Sequence, residues 1–219
     1  MKARSVARRP RELRSTRDVI LDAAERRFAE RGFAGVSVRE IAGDAGLKNQ
    51  ASLYHHFKNK KALYEAVLQR GLQPIIELVA GSETVGDAAD PVLDRIVDYL
   101  ATRPHLPRLI QRAGLDDSKA LRGTVSRLLA PLYNSGLQVL AGSSGTWSES
   151  EIPHLAAGLY HLIFGYFANA ALLETVLPDD PRSPAALARQ AHFLKVAVAR
   201  LLGGEPVPAR AARGLAKTP

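Results

Sequence analysis

Between Lys48 and Lys61 the chain gathers side chains suited to nucleic-acid recognition. Gln50, Ser52, Tyr54, His55 and His56 offer the donors and acceptors that read base edges or grip phosphate oxygens. Lys48 precedes them, and Lys58, Lys60 and Lys61 follow, where ammonium groups can meet phosphates. Leu53 and Phe57 would point inward from a short helix and leave the polar groups outside. The charge distribution agrees. Residues 1–61 hold 15 Lys/Arg against 7 Asp/Glu and residues 62–219 hold 15 of each, so the whole formal excess of +8 sits in the first 61 residues. Such an excess calls for a polyanion at that end. Lys2, Arg4, Arg8, Arg9, Arg11 and Arg14 lie in a segment without apolar periodicity, read as a flexible basic arm over 1–14.

Catalysis has no comparable foothold. The histidines, His55, His56, His105, His154, His161 and His192, form neither a zinc-type i, i+4 pair nor an H-E-x-x-H motif. There is no Gly-rich phosphate loop, no G-x-S-x-G elbow and no cysteine. The sequence therefore predicts no enzyme activity, no cofactor and no metal. Lack of cysteine suits a reducing cytoplasm, the expected location. No apolar h-region follows the basic N-terminus, so no secretory signal is expected. The apolar stretch from Leu155 to Leu173 carries His161, Asn169 and two glycines without basic anchors, and reads as a helix buried in protein rather than a membrane span.

The elements that must position these groups are helical. A first helix opens at Ser15 or Thr16, repeats Ile20, Ala24 and Phe28 along one stripe, and stops at Gly32. Ser37 and Glu40 stand at capping-box spacing before Val38, Ile41, Ala42 and Ala45, and Gly46 ends this second helix. A third runs over 50–57. That succession is the helix-turn-helix arrangement, whose second member enters the major groove. Six longer helices are predicted: from Asn59 past Leu78 with Pro74 as a kink, then 91–102, 104–113, 118–140 with a bend at Pro131, 150–176 and 184–202. No segment alternates like a strand. The fold class is all-α, with a helix-turn-helix domain at 15–61, a larger helical domain at 62–202, and a flexible tail at 203–219.

The run Ile41-Ala42-Gly43-Asp44-Ala45-Gly46-Leu47, followed by Leu53-Tyr54-His55-His56-Phe57-Lys58-Asn59-Lys60-Lys61-Ala62-Leu63, resembles the tetracycline-repressor (TetR) family. Phe28, Gly32-Phe33 and the Ser37 cap also match, so the resemblance covers residues 15–65. It implies a DNA-binding regulator, with Ser37 and Lys60 on phosphates and Tyr54 and His56 on the DNA backbone. It also implies Gln50, Ala51, Ser52 and His55 at base edges or a thymine methyl, with Leu53 and Phe57 in the core. One feature departs from the family pattern. Five residues, Lys48, Asn49, Gln50, Ala51 and Ser52, stand where four are usual. The turn is expected to be one residue longer, with Asn49 as cap, and the base-contact register at 48–52 moves accordingly.

Beyond residue 65 the resemblance extends to length and helix number. Leu187, Ala191, Leu194, Val198 and Leu201 form a heptad-like seam on the ninth predicted helix, and the eighth is apolar nearly all round. A homodimer through these two helices is expected, holding two recognition helices one DNA turn apart, roughly 34 Å. The family also implies a small-molecule effector among helices four to eight. Tyr99, His105, Arg112, Tyr133, Asn134, Tyr160, His161, Phe164 and Asn169 are the candidate lining residues. The alternative is sequence-independent DNA binding without effector. A charge-balanced C-terminal region large enough for a pocket favours the regulator.

Overall fold

The computed structural model describes residues 14–81, 89–115, 119–141 and 147–203. The expected basic arm except Arg14, most of the expected loops at 81–89 and 142–145, and the expected tail after Gly203 lie outside these residues. Among the described residues all regular structure is helical: α1 (Thr16–Arg31), α2 (Val38–Asp44), α3 (Ala51–Tyr54), α4 (Lys60–Ala80), α5 (Ala89–Ala101), α6 (Leu106–Leu115), α7 (Lys119–Ala141), α8 (Ile152–Ala168), α9 (Ala170–Leu173) and α10 (Pro184–Leu201).

Local chemistry sets the first boundaries. Ser15 Oγ accepts the Asp18 amide at 3.1 Å to start α1, and Gly32, at φ 71°, ends it. Ser37 Oγ accepts the Glu40 amide at 3.2 Å while Glu40 accepts the Ser37 amide at 2.8 Å, the reciprocal capping box of α2. Past α2, Leu47 N–H donates to the Ala42 carbonyl at 2.9 Å and Gly46 N–H to that of Gly43 at 3.0 Å. This is a Schellman closure, and it requires the left-handed backbone that Gly46 adopts at φ 70°. The α4 start is capped by Asn59, whose Oδ1 accepts the Ala62 amide at 2.8 Å.

Two expectations are corrected. The third helix is regular only over Ala51–Tyr54, and the chain to Phe57 continues as turns closed by His56 and Phe57 amides on the Leu53 carbonyl. The eighth predicted helix breaks at Asn169, giving ten helices among the described residues where about nine were expected. Asn169 leaves helical geometry (φ −104°, ψ 19°), and its side-chain amide donates to the Gly165 carbonyl at 2.9 Å. A short polar side chain can compete in this way for the helix's own acceptors.

One hydrophobic core runs from Ile20 on α1 to Val198 on α10, unbroken across the expected boundary at residue 61. Helix α4 carries it. At its start the Tyr64 ring meets Phe28 edge-on at 4.9 Å and Phe33 at 5.2 Å. One stretch later Gly71 presses α4 against α6, so closely that a Cβ there would fall 2.2 Å from Leu106 Cδ1. Tyr99 on α5 donates its hydroxyl to the Gly71 carbonyl at 3.0 Å. Glu25 on α1, only 5% exposed, receives Arg70 from α4 at 3.0 Å and Arg103 from the α5–α6 turn at 3.2 Å. Arg70 also meets Asp22 at 2.8 Å.

The seam predicted on the last helix is used inside the chain. Leu194 and Val198 are buried and Leu187, Ala191 and Leu201 half-buried against the protein's own core, because α10 packs on α5 and α8. Among the described residues no helix is long and apolar enough to cross a membrane.

Candidate nucleic-acid interface

Helices α1 to α3 present a polar surface on a rigid base. Leu53 is fully buried and Phe57 nearly so. The intervening Tyr54, His55 and His56 therefore point outward, with Tyr54 47% exposed despite its size. Lys48, Asn49, Gln50 and Ala51 are also exposed, and Ser52 is half-buried. Asn49 acts as the expected cap: its Oδ1 accepts the Ser52 amide at 3.0 Å and the Ser52 hydroxyl at 3.2 Å. This engages Asn49 and Ser52 with each other and leaves Lys48, Gln50 and Ala51 as the free front of the turn.

The cations divide into two sets, a distinction the sequence alone did not show. Arg27 forms a two-pronged pair with Asp44, Nε to Oδ2 at 2.5 Å and Nη2 to Oδ1 at 2.7 Å, and Arg26 joins at 3.0 Å. The hydrogen bond from Arg27 and then that from Arg26 hold the Asp44 carboxyl well below its ordinary range, and the same pair raises Arg27. Arg31 pairs with Glu40 at 2.5 Å. The Ser37 amide, then Arg31, then the Ser37 hydroxyl bring Glu40 down to about 2. These arginines fasten α1 to α2 and are each held by a carboxylate within the fold. By contrast, among the described residues Arg39, Lys48, Lys58 and Lys61 are exposed without a carboxylate partner. Arg39 was not singled out by sequence reading. Its placement just after the Ser37 cap, on the outer side of α2, was the available signal.

Ser37 is exposed, with its hydroxyl donated to Glu40 at 2.8 Å. Lys60 is half-buried, its ammonium 4.4 Å from the Phe33 ring centroid, and burial lowers its pKa. Arg17 lies over Phe57 at 5.0 Å. The cation–π contacts tie both ends of the turn segment to the core.

The nine candidate ligand residues scatter. Tyr133, Tyr160 and Phe164 line a single cavity of about 150 Å³ between α4, α5, α7, α8 and α10. Tyr99 is committed to Gly71. His105 lies in a polar groove at the Glu25 network, and Arg112 and Asn169 line a separate groove beside Gly32 and Phe33. Asn134 is exposed, and His161 is exposed with its ring against the edge of Tyr160. The remaining cavity wall is aliphatic, including Ile75, Ile96, Leu132, Ile163 and Val198. In sequence those residues are indistinguishable from ordinary core, since they carry no polar group that sets them apart.

A capped helix, a glycine turn and a second short helix with a polar outer face, set on a helical body, define a helix-turn-helix DNA-binding protein. Over residues 20–67 the chain matches the family model for bacterial regulatory proteins, tetR family. It is a DNA-binding transcriptional regulator. The "Probable HTH-type transcriptional regulator YttP" of Bacillus subtilis is 27% identical over 178 residues, covering 78% of this chain and 86% of that protein. The HTH-type transcriptional repressor AcnR of Corynebacterium diphtheriae is 32% identical over 101 residues, covering 46% of this chain and 53% of AcnR. The chain thus spans most of YttP but about half of AcnR. The crystal structure of SCO4942 from Streptomyces coelicolor superposes with a TM-score of 0.60 at 26% identity, covering 85% of this chain and 98% of that one.

Proposed function

We propose that the protein is a repressor that binds a two-fold symmetric operator as a homodimer and is released by a small-molecule effector. The observation that carries the reading is the outward face of Lys48, Gln50, Ala51, Tyr54, His55 and His56, fixed from beneath by buried Leu53 and Phe57. Gln50 and His55 read base edges, with Ala51 against a thymine methyl. Tyr54, His56, Lys48 and Ser37 hold the backbone, as does Lys60 on turning from Phe33. Asn49 and Ser52 set the shape of the turn and reach DNA from its rim.

Residues 15–61 act as the reading unit and 62–202 as the sensor and dimer scaffold. The face available for a partner is the side of α10 bearing Ala185, Ala188, His192 and Phe193, beside His154, Gly158 and His161 on α8, all exposed in the single chain. Small residues there permit close helix approach, and Phe193, 49% exposed, supplies an apolar anchor. Selection from a random duplex library at about 150 mM salt, near physiological ionic strength, tests the reading. Recovery of a symmetric sequence supports it. Tight binding without sequence preference overturns it in favour of sequence-independent DNA binding.

A further inference from the structure

The cavity that joins Tyr133, Tyr160 and Phe164 has a uniform chemistry. Among the described residues its wall is aliphatic and aromatic, and no Lys, Arg, His, Asp or Glu side chain lines it. The nearby ammonium of Lys195 is committed to Asp94 at 2.7 Å. A charged ligand would leave water without meeting an opposite charge, a cost that closely packed hydrocarbon does not offset. Among the described residues the only side-chain polar atoms on the wall are the Tyr133 and Tyr160 hydroxyls, and neither has a hydrogen-bond partner there. Burial raises both, Tyr160 to about 12, so both remain protonated donors. The Tyr160 ring lies 5.5 Å from Tyr133 and 4.8 Å from Phe164, a wall of π faces suited to a flat ring. A space of about 150 Å³ between apolar walls admits a molecule the size of benzene.

We propose that the effector is an uncharged, mainly hydrocarbon molecule with about the bulk of a small substituted benzene, bearing one neutral acceptor that receives a hydrogen bond from Tyr160 or Tyr133. This rests on the effector-responsive reading above. Ile75 places the second half of α4 on the cavity wall, while the first half of the same helix packs under the DNA-reading unit through Tyr64. A ligand that fills the cavity therefore acts directly on the helix shared by both sites, and it shifts the population toward whichever α4 position it favours.

Three probes of one shape test the proposal on the full chain: ethylbenzene, acetophenone and benzoate, with binding read by ligand-observed NMR and operator release read separately. Acetophenone binds more tightly than ethylbenzene, by up to about tenfold for one added hydrogen bond, and benzoate does not bind. Tyr133→Phe with Tyr160→Phe erases the preference for acetophenone and keeps ethylbenzene binding. Gly136 lines the cavity and has no atom within 4 Å of the place a Cβ would take. Gly136→Leu therefore fills the void from a helical position that tolerates it, and both neutral probes lose binding. Benzoate binding as well as acetophenone, no binding of either neutral probe at aqueous saturation, or unchanged binding in folded Gly136→Leu overturns the ligand class. Binding of the neutral probes with the operator still held overturns the effector reading instead.

Discussion

Arg27 and Asp44 meet in a two-pronged ion pair, at 2.5 and 2.7 Å, that fastens the C-terminal third of α1 to the last residue of α2. Just beyond it the chain enters the glycine turn that aims α3. The pair thus fixes the direction of the reading face without belonging to it. Asp44→Asn keeps the size but loses the charge-assisted geometry. The expected result is a thermal midpoint lower by roughly 2–4 °C together with weaker operator binding, checked by calorimetry and fluorescence anisotropy. An unchanged midpoint would show that the pair contributes nothing.

Acid should act on the same region. Asp44 and Glu40 have folded pKa values below their ordinary ones, Glu40 at about 2 against 4.5. On acidification the unfolded chain takes up protons first, so this stabilisation is complete above about pH 4.5 and is lost as pH falls toward 2. Glu40→Gln retains a capping-box partner but cannot titrate. Its unfolding midpoint should fall less steeply across that window than that of the unsubstituted protein.

Glu25 tests the junction between the reading unit and the body. It is buried and holds both Arg70 and Arg103. Glu25→Ala takes the carboxylate partner from Arg103 and leaves Arg70, whose Nε already lacks a hydrogen-bond partner, with Asp22 alone. Denaturant unfolding should register a loss of roughly 3 kcal/mol, the scale for breaking one side of a buried pair.

Gly71→Ala places a methyl where Leu106 Cδ1 now lies, and Leu106 is fully buried. Overpacking of this kind costs about 1–3 kcal/mol. Leu106→Val in the same chain should recover part of the loss, and a double-mutant cycle measures the coupling between α4 and α6.

On the reading face, Tyr54→Ala should weaken operator binding at least about tenfold, one hydrogen bond to charged phosphate plus packing, with little change in stability because Tyr54 is exposed. Lys48→Ala should lower the slope of log K against log salt by about 1 while leaving sequence preference intact. His55→Ala should instead relax preference at one base pair. A competition assay with operator variants separates the two outcomes.

The sequence by itself determined the local events of this protein. Ser15, Ser37 and Asn59 start helices because an oxygen three residues ahead can take a free amide, and Gly32 and Gly46 stop them because only glycine enters the left-handed region cheaply. The spacing of Leu53 and Phe57 settled which side of the segment faces out, and Asn49 announced the cap that holds Ser52. What needed the tertiary structure depends on atoms far apart in the chain. Nothing local separates Arg27, spent on Asp44, from Arg39, which is unpaired by any carboxylate among the described residues. The seam of α10 reads equally well as a contact with a partner or with its own α5, and packing chose the latter for Leu194 and Val198. The cavity is drawn from five helices, and its aliphatic wall differs from solid core only in the volume its neighbours leave unfilled. Such a void arises only when all of those helices are packed together.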